Sequence, residues 1–359
     1  MYEYDKRVVL TLDAGGTNFV FSAIQGNNEM ISPIGLPAVS DNLDECLEVL
    51  VKGFDRVIAA IPVPPVAISF AFPGPADYEN GIIGDLPNFP SFRGGVALGP
   101  FLKHKYGIPV FIENDGNLFA YGEALSGALP MINRELSLAG CSREYKNLIG
   151  ITLGTGFGAG VVINKVLLTG DNGCGGDIWL MRNKKYPDML AEESVSIRAV
   201  RRVYSDLSGQ SSASLSPKDI YDIAEGIKEG DSHAAIASFN ELGIMAGAAI
   251  ASVLNVVDGL VVIGGGVAGA SKYILPALIT ELRAQLTTFS GNKFPCVSMQ
   301  VYNGEDESER ARFLSLSDSQ VVIPGTHLTT TYHQLKQTLV LCSKEGACLL
   351  YTSDAADDK

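Results

Sequence analysis

Two stretches of the chain alternate between apolar runs and glycines in the same way. The first, LTLDAGGTNFVFSAI at residues 10–24, is an apolar run that stops at Asp13, turns through Gly-Gly-Thr, and resumes at once. The second, NLIGITLGTGFGAGVVI at residues 147–163, repeats this pattern, and Thr-Leu precedes the turn in both copies. Each stretch predicts two short β-strands joined by a glycine turn. A plain β-hairpin explains either copy alone. Two copies indicate two related lobes whose turns bind an anion through backbone N–H groups.

Apolar strands alternate with helices along the rest of the chain. Residues 67–77 predict a strand that ends in a Pro-Gly-Pro turn, and residues 96–107 predict a helix that ends at glycine. Residues 109–117 predict a strand that ends in polar residues, and a helix at about 233–255 leads into an apolar strand that begins at Gly259. This alternation indicates an α/β architecture. A length of 359 residues favours two lobes over a single core.

Composition and charge exclude several classes of function. The formal net charge of −13 argues against nucleic-acid binding, which requires clustered Lys and Arg. The six cysteines are scattered and form no Cys-x-x-Cys pair, which indicates an intracellular protein with reduced thiols. The charged N-terminus MYEYDKRVVL does not fit a signal peptide, and the apolar region 244–270 is interrupted by polar residues and glycines. We therefore expect a cytoplasmic protein that binds neither nucleic acid nor a membrane.

Five short motifs resemble those of the ROK family, which is named for repressors, open reading frames and sugar kinases. Each motif is weak alone, but their order over roughly residues 8–270 is specific. In chain order they are Asp13-x-Gly15-Gly16-Thr17-Asn18, Pro73-Gly74-Pro75, Glu113-Asn114-Asp115, Leu153-Gly154-Thr155-Gly156 and Ile263-Gly264-Gly265-Gly266. The resemblance implies an α/β, two-lobed actin/hexokinase-like (ribonuclease H-like) fold, with ATP and sugar bound in the interlobe cleft.

The resemblance implies a role in ATP binding for each glycine-rich turn. Asp13 would position Mg²⁺, and Thr155 with Gly156 would make the second phosphate contact. Gly265 and Gly266 would lie against the adenosine. The residues that would hold phosphate in the first turn are Gly15, Gly16, Thr17 and Asn18. Phosphoryl transfer depends on positioning and on charge neutralisation, which glycine turns and Mg²⁺ supply.

The resemblance also implies that Asp115 is the general base that accepts the proton of a sugar hydroxyl. A base of this kind contributes about 10²–10⁴ in rate. From the residues alone, Asp115 could instead cap a helix that begins near Asn117. The other four motifs favour the catalytic role. Asn114 and Asn88 would then bind sugar hydroxyls.

The segment after the second turn departs from the family pattern. Family kinases have G-E-x-G-H followed by a cysteine-rich zinc cluster, whereas this chain has GDIWL at 176–180 and neither cysteine nor histidine from 181 to 191. We therefore expect no structural zinc. Asp177 takes the place of the family's Glu as a sugar contact. Trp179 either stacks on the sugar ring or fills the space left by the missing zinc segment.

Glu192 is the candidate for a further sugar contact. It keeps the family's spacing to Ser196 and Ala199. Glu193 is the second choice, and for both residues the alternative is a solvated carboxylate in the first turn of a helix.

The expected domain organisation follows from the same resemblance. An N-terminal lobe at 1–117 would carry the first phosphate turn, the sugar loop and the catalytic Asp. A C-terminal lobe at 118–347 would carry the second phosphate turn and the adenosine turn. The string CLLYTSDAADD at 348–358 reads like a translated sequencing adapter. We therefore expect residues 348–359 to be an artefact tail, with the native final helix missing.

Together these features predict an ATP- and Mg²⁺-dependent kinase that phosphorylates a hexose or hexose derivative, similar to glucokinases. A DNA-binding repressor is excluded because the first strand begins by about residue 7, which leaves no room for a helix-turn-helix. The alternative is a non-catalytic regulator that binds sugar or nucleotide, since the altered GDIWL segment would suit binding without turnover. Retention of both Asp13 and Asp115 favours the enzyme. Dimers are common among relatives, and the sequence leaves a homodimer open.

Overall fold

The chain folds into two compact units. The structure, a computed structural model, describes residues 4–14, 18–26, 28–85, 90–315 and 319–344. The first unit is formed by Met1–Gly127 with Val166–Gly175, and the second by Ala128–Lys165 with Gly176–Ser343. The lobe boundary expected after Asn117 differs from this division, because helix Asp115–Leu125 runs unbroken within the first unit.

The first unit is built on a mixed sheet. The strands of this unit are β1 (Val9–Ala14), β2 (Asn18–Gln25), β3 (Asn28–Glu29), β4 (Ile34–Pro37), β5 (Ala67–Ala71), β6 (Ala76–Asp77), β7 (Ile82–Ile83) and β8 (Val110–Glu113), and β6 and β7 form a separate two-stranded sheet. Its helices are α1 (Leu43–Ala60), α2 (Leu98–Tyr106) and α3 (Asp115–Leu125), with a 3₁₀ turn at Pro90–Phe92. The order is β3-β2-β1-β5-β8, and β4 also pairs with β2. Since β1, β5 and β8 are parallel, their carboxyl ends meet at one edge.

The core of the first unit is aromatic. Helix α1 begins at its N-cap Asn42, whose side chain accepts a hydrogen bond from the Glu45 N–H at 3.3 Å. Its apolar face packs on the sheet, where Phe21 and Phe54 meet edge to face with ring centroids 5.1 Å apart. Phe54 also contacts Phe70 of β5, at 6.3 Å between centroids. This packing supports β2 and β5, the strands on either side of β1.

The second unit is built on a second mixed sheet. The strands of this unit are β9 (Leu148–Leu153), β10 (Phe157–Ile163), β12 (Leu260–Gly264), β13 (Gln285–Thr287), β14 (Lys293–Pro295), β15 (Gln300–Asn303), β16 (Ser319–Val322), β17 (Thr329–Tyr332) and β18 (Gln337–Cys342); β11 (Val166–Leu167) belongs to the first unit. Strands β13 and β14 form a separate two-stranded sheet, as do β16 and β17. Its helices are α4 (Ala128–Leu138), α5 (Ile197–Ser208), α6 (Pro217–Ala224), α7 (Ser232–Val257), α8 (Ser271–Leu282) and α9 (Glu307–Leu314), with 3₁₀ turns at Ile178–Leu180, Ala191–Glu193 and Gly266–Ala270. The order is β10-β9-β12-β18-β15.

Helix α7 lies at the centre of the second core. Its N-cap Asp231 accepts a hydrogen bond from the Ala234 N–H at 3.0 Å, and the helix packs against α5, α6 and α8. Its length and composition would allow it to cross a membrane, but 56% of its most apolar window is buried inside the structure. The helix and the following strand β12 are therefore core elements, as the sequence predicted.

The two sheets repeat one arrangement. In each, an antiparallel hairpin (β1–β2 or β9–β10) is extended by parallel strands beside its first strand. Three residues separate the strands of each hairpin, 15–17 in the first and 154–156 in the second, and residues 15–17 lie outside the described residues. The strand pairs predicted for 10–24 and 147–163 are therefore confirmed.

Candidate functional site

The carboxyl ends of β1, β5 and β8 bring two predicted acidic residues to one edge of the first sheet. The register pairs Asp13 with Ala71 and Ala71 with Glu113, so the three strand ends lie in a row. Asp115 follows as the first residue of α3. The edge at the carboxyl ends of parallel strands is the usual position of a ligand site in α/β proteins.

Asn114 shapes the turn that presents Asp115. It is the N-cap of α3, and its Oδ1 accepts a hydrogen bond from the Gly116 N–H at 2.9 Å. Asp115 Oδ1 accepts from the same N–H, also at 2.9 Å. The capping role that the sequence left open for Asp115 therefore belongs to Asn114, and the helix begins at Asp115 instead of near Asn117.

Opposing effects act on the Asp115 carboxyl. Desolvation raises its pKa, the hydrogen bond from the Gly116 N–H lowers it, and the negative charge of Asp13 raises it. The net pKa of Asp115 is above the ordinary value for Asp. A carboxylate with a raised pKa binds a proton more strongly, which is the property required of a general base.

Glu113 is a buried carboxyl for which motif reasoning gave no role. Its Oε1 accepts hydrogen bonds from the Asn114 N–H at 2.7 Å and from Asn117 Nδ2 at 3.1 Å. Its backbone carbonyl accepts from the Phe72 N–H at 3.0 Å. Desolvation raises the pKa of this carboxyl more than the two hydrogen bonds lower it. Glu113 thus ties the end of β8 to the cap of α3. The signal in the sequence was an acidic residue at the end of an apolar strand.

Several predicted residues of the first unit lie outside the described residues, namely Gly15, Gly16, Thr17 and Asn88. Their roles stay predictions. Asn18, the last residue predicted to contact phosphate in the first turn, begins β2 and pairs in register with Pro37 of β4.

The second glycine turn lies at the carboxyl end of β9. Thr155 is exposed at its tip, and the Gly154 N–H donates to the Gly156 carbonyl at 3.1 Å. Strand β12 ends beside the turn, because Gly264 pairs in register with Thr152. The second sheet therefore presents this turn at the edge where its parallel strands end.

Gly265, which is predicted to contact adenosine, lies close to the second turn. Its φ is 88°, and a Cβ there would lie 2.5 Å from the carbonyl oxygen of Leu153, so a larger residue does not fit. Gly266 differs, since a Cβ there would meet nothing within 4 Å. The four predicted nucleotide residues of this unit therefore lie at one edge of its sheet: Thr155, Gly156, Gly265 and Gly266.

Glu192 lies against the second glycine turn. Its Oε2 accepts a hydrogen bond from the Phe157 N–H at 3.1 Å, and a Cβ at Gly156 would lie 2.6 Å from the same oxygen. Arg198 Nη2 donates to Glu192 Oε1 at 3.2 Å and to Glu193 Oε1 at 3.1 Å. The side chain of Glu192 is 22% exposed and that of Glu193 is 49% exposed. Of the two acids, Glu192 is the one in contact with the turn.

Asp177 and Trp179 form a hydrogen-bonded pair. Asp177 precedes the 3₁₀ turn Ile178–Leu180, and its Oδ1 accepts from Trp179 Nε1 at 3.1 Å. The Trp179 side chain is 37% exposed, so its ring is accessible to a ligand and is not sealed in a core. The structure thus joins two residues at which the chain departs from the family pattern.

Asp13 is the residue to consider for a metal ion. Among the described residues, no three His, Cys, Asp or Glu side chains form a group that could hold one. Mg²⁺ does not require such a group, because it commonly binds through one or two carboxylates together with phosphate oxygens and water. Asp13 is an exposed carboxylate at a strand end, directly before the first glycine turn, and fits that kind of site. The expectation of no structural zinc stays a prediction.

Known proteins resemble the chain over most of its length. The model of the ROK family matches residues 9–308. A crystal structure of a glucokinase from Parabacteroides distasonis is 57% identical, covers 99% of this chain and 98% of its own, and superposes with a TM-score of 0.91. A glucokinase from Thermotoga maritima is 26% identical over 290 residues, which are 76% of this chain and 86% of that protein. A ROK hexokinase from Thermus thermophilus is 20% identical, covers 98% of this chain and 100% of its own, and has a TM-score of 0.66, which supports the fold.

Proposed function

Because the chain belongs to the ROK family, we propose that it is a glucokinase-like sugar kinase, which transfers the γ-phosphoryl group of ATP to a hydroxyl of a hexose. The observation that carries the proposal is the position of Asp115, at the start of α3 and within the field of Asp13. The relatives described as glucokinases support the same reaction class.

Asp115 acts as the general base. As a sugar oxygen attacks the γ-phosphorus, Asp115 accepts the hydroxyl proton, and the bond from phosphorus to the β–γ bridging oxygen breaks to release ADP. The desolvation that raises the pKa of Asp115 makes its carboxylate a stronger base. The Asn114 cap and the buried Glu113 hold it at the strand edge.

Backbone groups and one carboxylate hold the nucleotide. Asp13 binds Mg²⁺, whose charge offsets that of the phosphates. The N–H groups of the second turn, at Thr155 and Gly156, bind phosphate, and Gly265 with Gly266 lies against the adenosine. In the first turn the corresponding phosphate contacts are those of Gly15, Gly16, Thr17 and Asn18. Glycine turns suit this role because successive N–H groups converge on an anion.

Polar side chains bind the sugar. Asn114 uses its Oδ1 to cap α3, so its amide N–H₂ group is the donor left for a hydroxyl. The exposed ring of Trp179 stacks on the apolar face of the sugar, and the hydrogen bond to Asp177 fixes its orientation. The proposed sugar contacts are Asn88, Asn114, Asp115, Asp177 and Glu192.

A coupled ADP-release assay with ATP and Mg²⁺ tests the proposal. Glucose, mannose, fructose, allose and the N-acetylhexosamines are supplied one at a time, with ATP alone as the background. Trp179 is the only tryptophan in the chain, so its fluorescence reports sugar binding independently of turnover. ADP release above background with one or more hexoses is the expected result. Sugar-dependent fluorescence without ADP release would instead favour the non-catalytic regulator.

A further inference from the structure

The second glycine turn is fixed by the segment that leads into α5. The Glu192 carboxylate accepts from the Phe157 N–H on one side of the turn, at 3.1 Å. On the other side, the Gly154 carbonyl accepts from the Ile197 N–H at 2.9 Å, in the first turn of α5. The conformation of the turn therefore depends on the position of Glu192.

The placement of this carboxylate has an electrostatic cost for phosphate binding. A Cβ added at Gly156 would lie only 2.6 Å from Glu192 Oε2. The negative charge of Glu192 therefore lies next to the turn that is proposed to bind phosphate. Like charges at short range repel each other. Any group that donates a hydrogen bond to Glu192 reduces its effective charge and so favours phosphate on the turn.

Arg198 already supplies part of this compensation. Its Nη2 donates to both Glu192 and Glu193, so one guanidinium group serves two carboxylates. One positive charge cannot offset two negative charges, and Glu192 retains the capacity to accept from a further donor. A sugar hydroxyl is a donor of the required kind.

This inference rests on the proposed function, in which Glu192 contacts the sugar. We propose that Glu192 couples the two substrates, because a sugar hydroxyl that donates to Glu192 strengthens nucleotide binding at the second turn. Arg198 is the positioning residue that holds the carboxylate on the turn. By linkage, nucleotide must strengthen sugar binding by the same factor. The coupling favours ATP binding when a sugar is already present.

Isothermal titration calorimetry measures this coupling directly. The non-hydrolysable analogue AMPPNP with Mg²⁺ is titrated into the protein without sugar and with saturating glucose. For the wild type we expect glucose to tighten AMPPNP binding by about fivefold or more, the lower end of typical coupling. The reciprocal titration of glucose with and without AMPPNP must give the same factor.

Two substitutions of Glu192 separate charge from geometry. Glu192→Gln keeps an oxygen that can accept from the Phe157 N–H but removes the charge. Without glucose, this variant should bind AMPPNP at least as tightly as the wild type does. Saturating glucose should tighten its AMPPNP binding by less than about twofold. Glu192→Ala also removes the acceptor, so AMPPNP binding should weaken with and without glucose. Glu144→Gln, an exposed acid paired with Lys165 in the same unit, is the matched control and should keep the wild-type factor.

Arg198 has its own matched control. Arg198→Ala leaves two carboxylates uncompensated, so AMPPNP binding without glucose should weaken, and Arg198→Lys should restore part of it. Arg312→Ala removes an exposed arginine of α9 in the same unit, which pairs with Glu309, and should leave AMPPNP binding unchanged. Thermal unfolding of each variant confirms that it is folded.

The outcomes distinguish this inference from the proposed function. Wild-type protein that binds AMPPNP and glucose independently, or Glu192→Gln with undiminished coupling, would overturn the inference and leave the kinase proposal standing. Wild-type protein that binds neither ligand would overturn both.

Discussion

Glu113 gives a prediction in which two substitutions at one position have opposite effects. Glu113→Ala removes the acceptor of the Asn114 N–H and of Asn117 Nδ2. A buried donor left without a partner costs about 1–3 kcal/mol, so the free energy of unfolding should fall by about 2–6 kcal/mol. The Asn114 cap should shift as well, and a displacement of Asp115 by about 1 Å lowers kcat on the order of 100-fold.

Glu113→Gln keeps an oxygen acceptor and removes a carboxyl whose burial disfavours its charge. The pKa of Glu113 is raised above the ordinary 4.5. Such a group stabilises the fold fully below its unfolded pKa, and this stabilisation is lost as the pH rises through the folded pKa. The variant should therefore gain stability relative to the wild type as the pH rises above about 4.5. Its kcat should stay within about threefold of the wild-type value, a much smaller change than the loss of about 100-fold expected when the base is displaced.

Urea unfolding between pH 4.5 and 8, together with ADP-release kinetics, measures both effects. The KM for the sugar should change little in Glu113→Gln, because Glu113 is not itself a sugar contact. In Glu113→Ala it should rise, because the displaced Asn114 and Asp115 are proposed sugar contacts. The reasoning is refuted if Glu113→Gln is as damaging as Glu113→Ala, or if its stability relative to the wild type falls as the pH rises.

Two further predictions concern packing. Gly265→Ala requires an alanine at a left-handed φ and pushes its Cβ against the Leu153 carbonyl. It should lower the free energy of unfolding in urea by about 2–5 kcal/mol and weaken AMPPNP binding. Gly266→Ala, which has open space at its Cβ, should cause much smaller losses of stability and of AMPPNP binding. Equal losses in the two variants would contradict this account. Phe54→Ala should cost about 3–5 kcal/mol, because Phe54 is fully buried. Phe289→Ala, at an exposed ring, should stay within about 0.5 kcal/mol of the wild type.

Local patterns predicted the elements that carry the candidate site. An apolar run broken by glycines indicated both hairpins, and a strand ending in polar residues indicated the junction that holds Asp115. These features are readable because strand alternation and turn chemistry act over a few neighbouring residues. The parallel order of β1, β5 and β8 then places Asp13 and Asp115 at the same edge.

Contacts between distant residues were not predictable in this way. Glu192 and Phe157 are 35 residues apart, and no local pattern indicates that this carboxylate binds a backbone N–H of the glycine turn. The burial of Glu113 depends on packing around β8, which composition does not reveal. The first unit includes Val166–Gly175 as well as Met1–Gly127, because the chain returns to it after β10. A single boundary drawn along the sequence cannot describe that division.

The most direct test of the central claim is turnover by Asp115→Asn, measured beside sugar binding. Asn114 still caps α3 in this variant, and Asp44→Asn, at an exposed acid in the first turn of α1, is the matched control. The account predicts that kcat falls by about 10²–10⁴ in Asp115→Asn, while the Trp179 fluorescence titration gives sugar affinity close to that of the wild type. Turnover that survives in Asp115→Asn at the level of the control would contradict the assignment of Asp115 as the base.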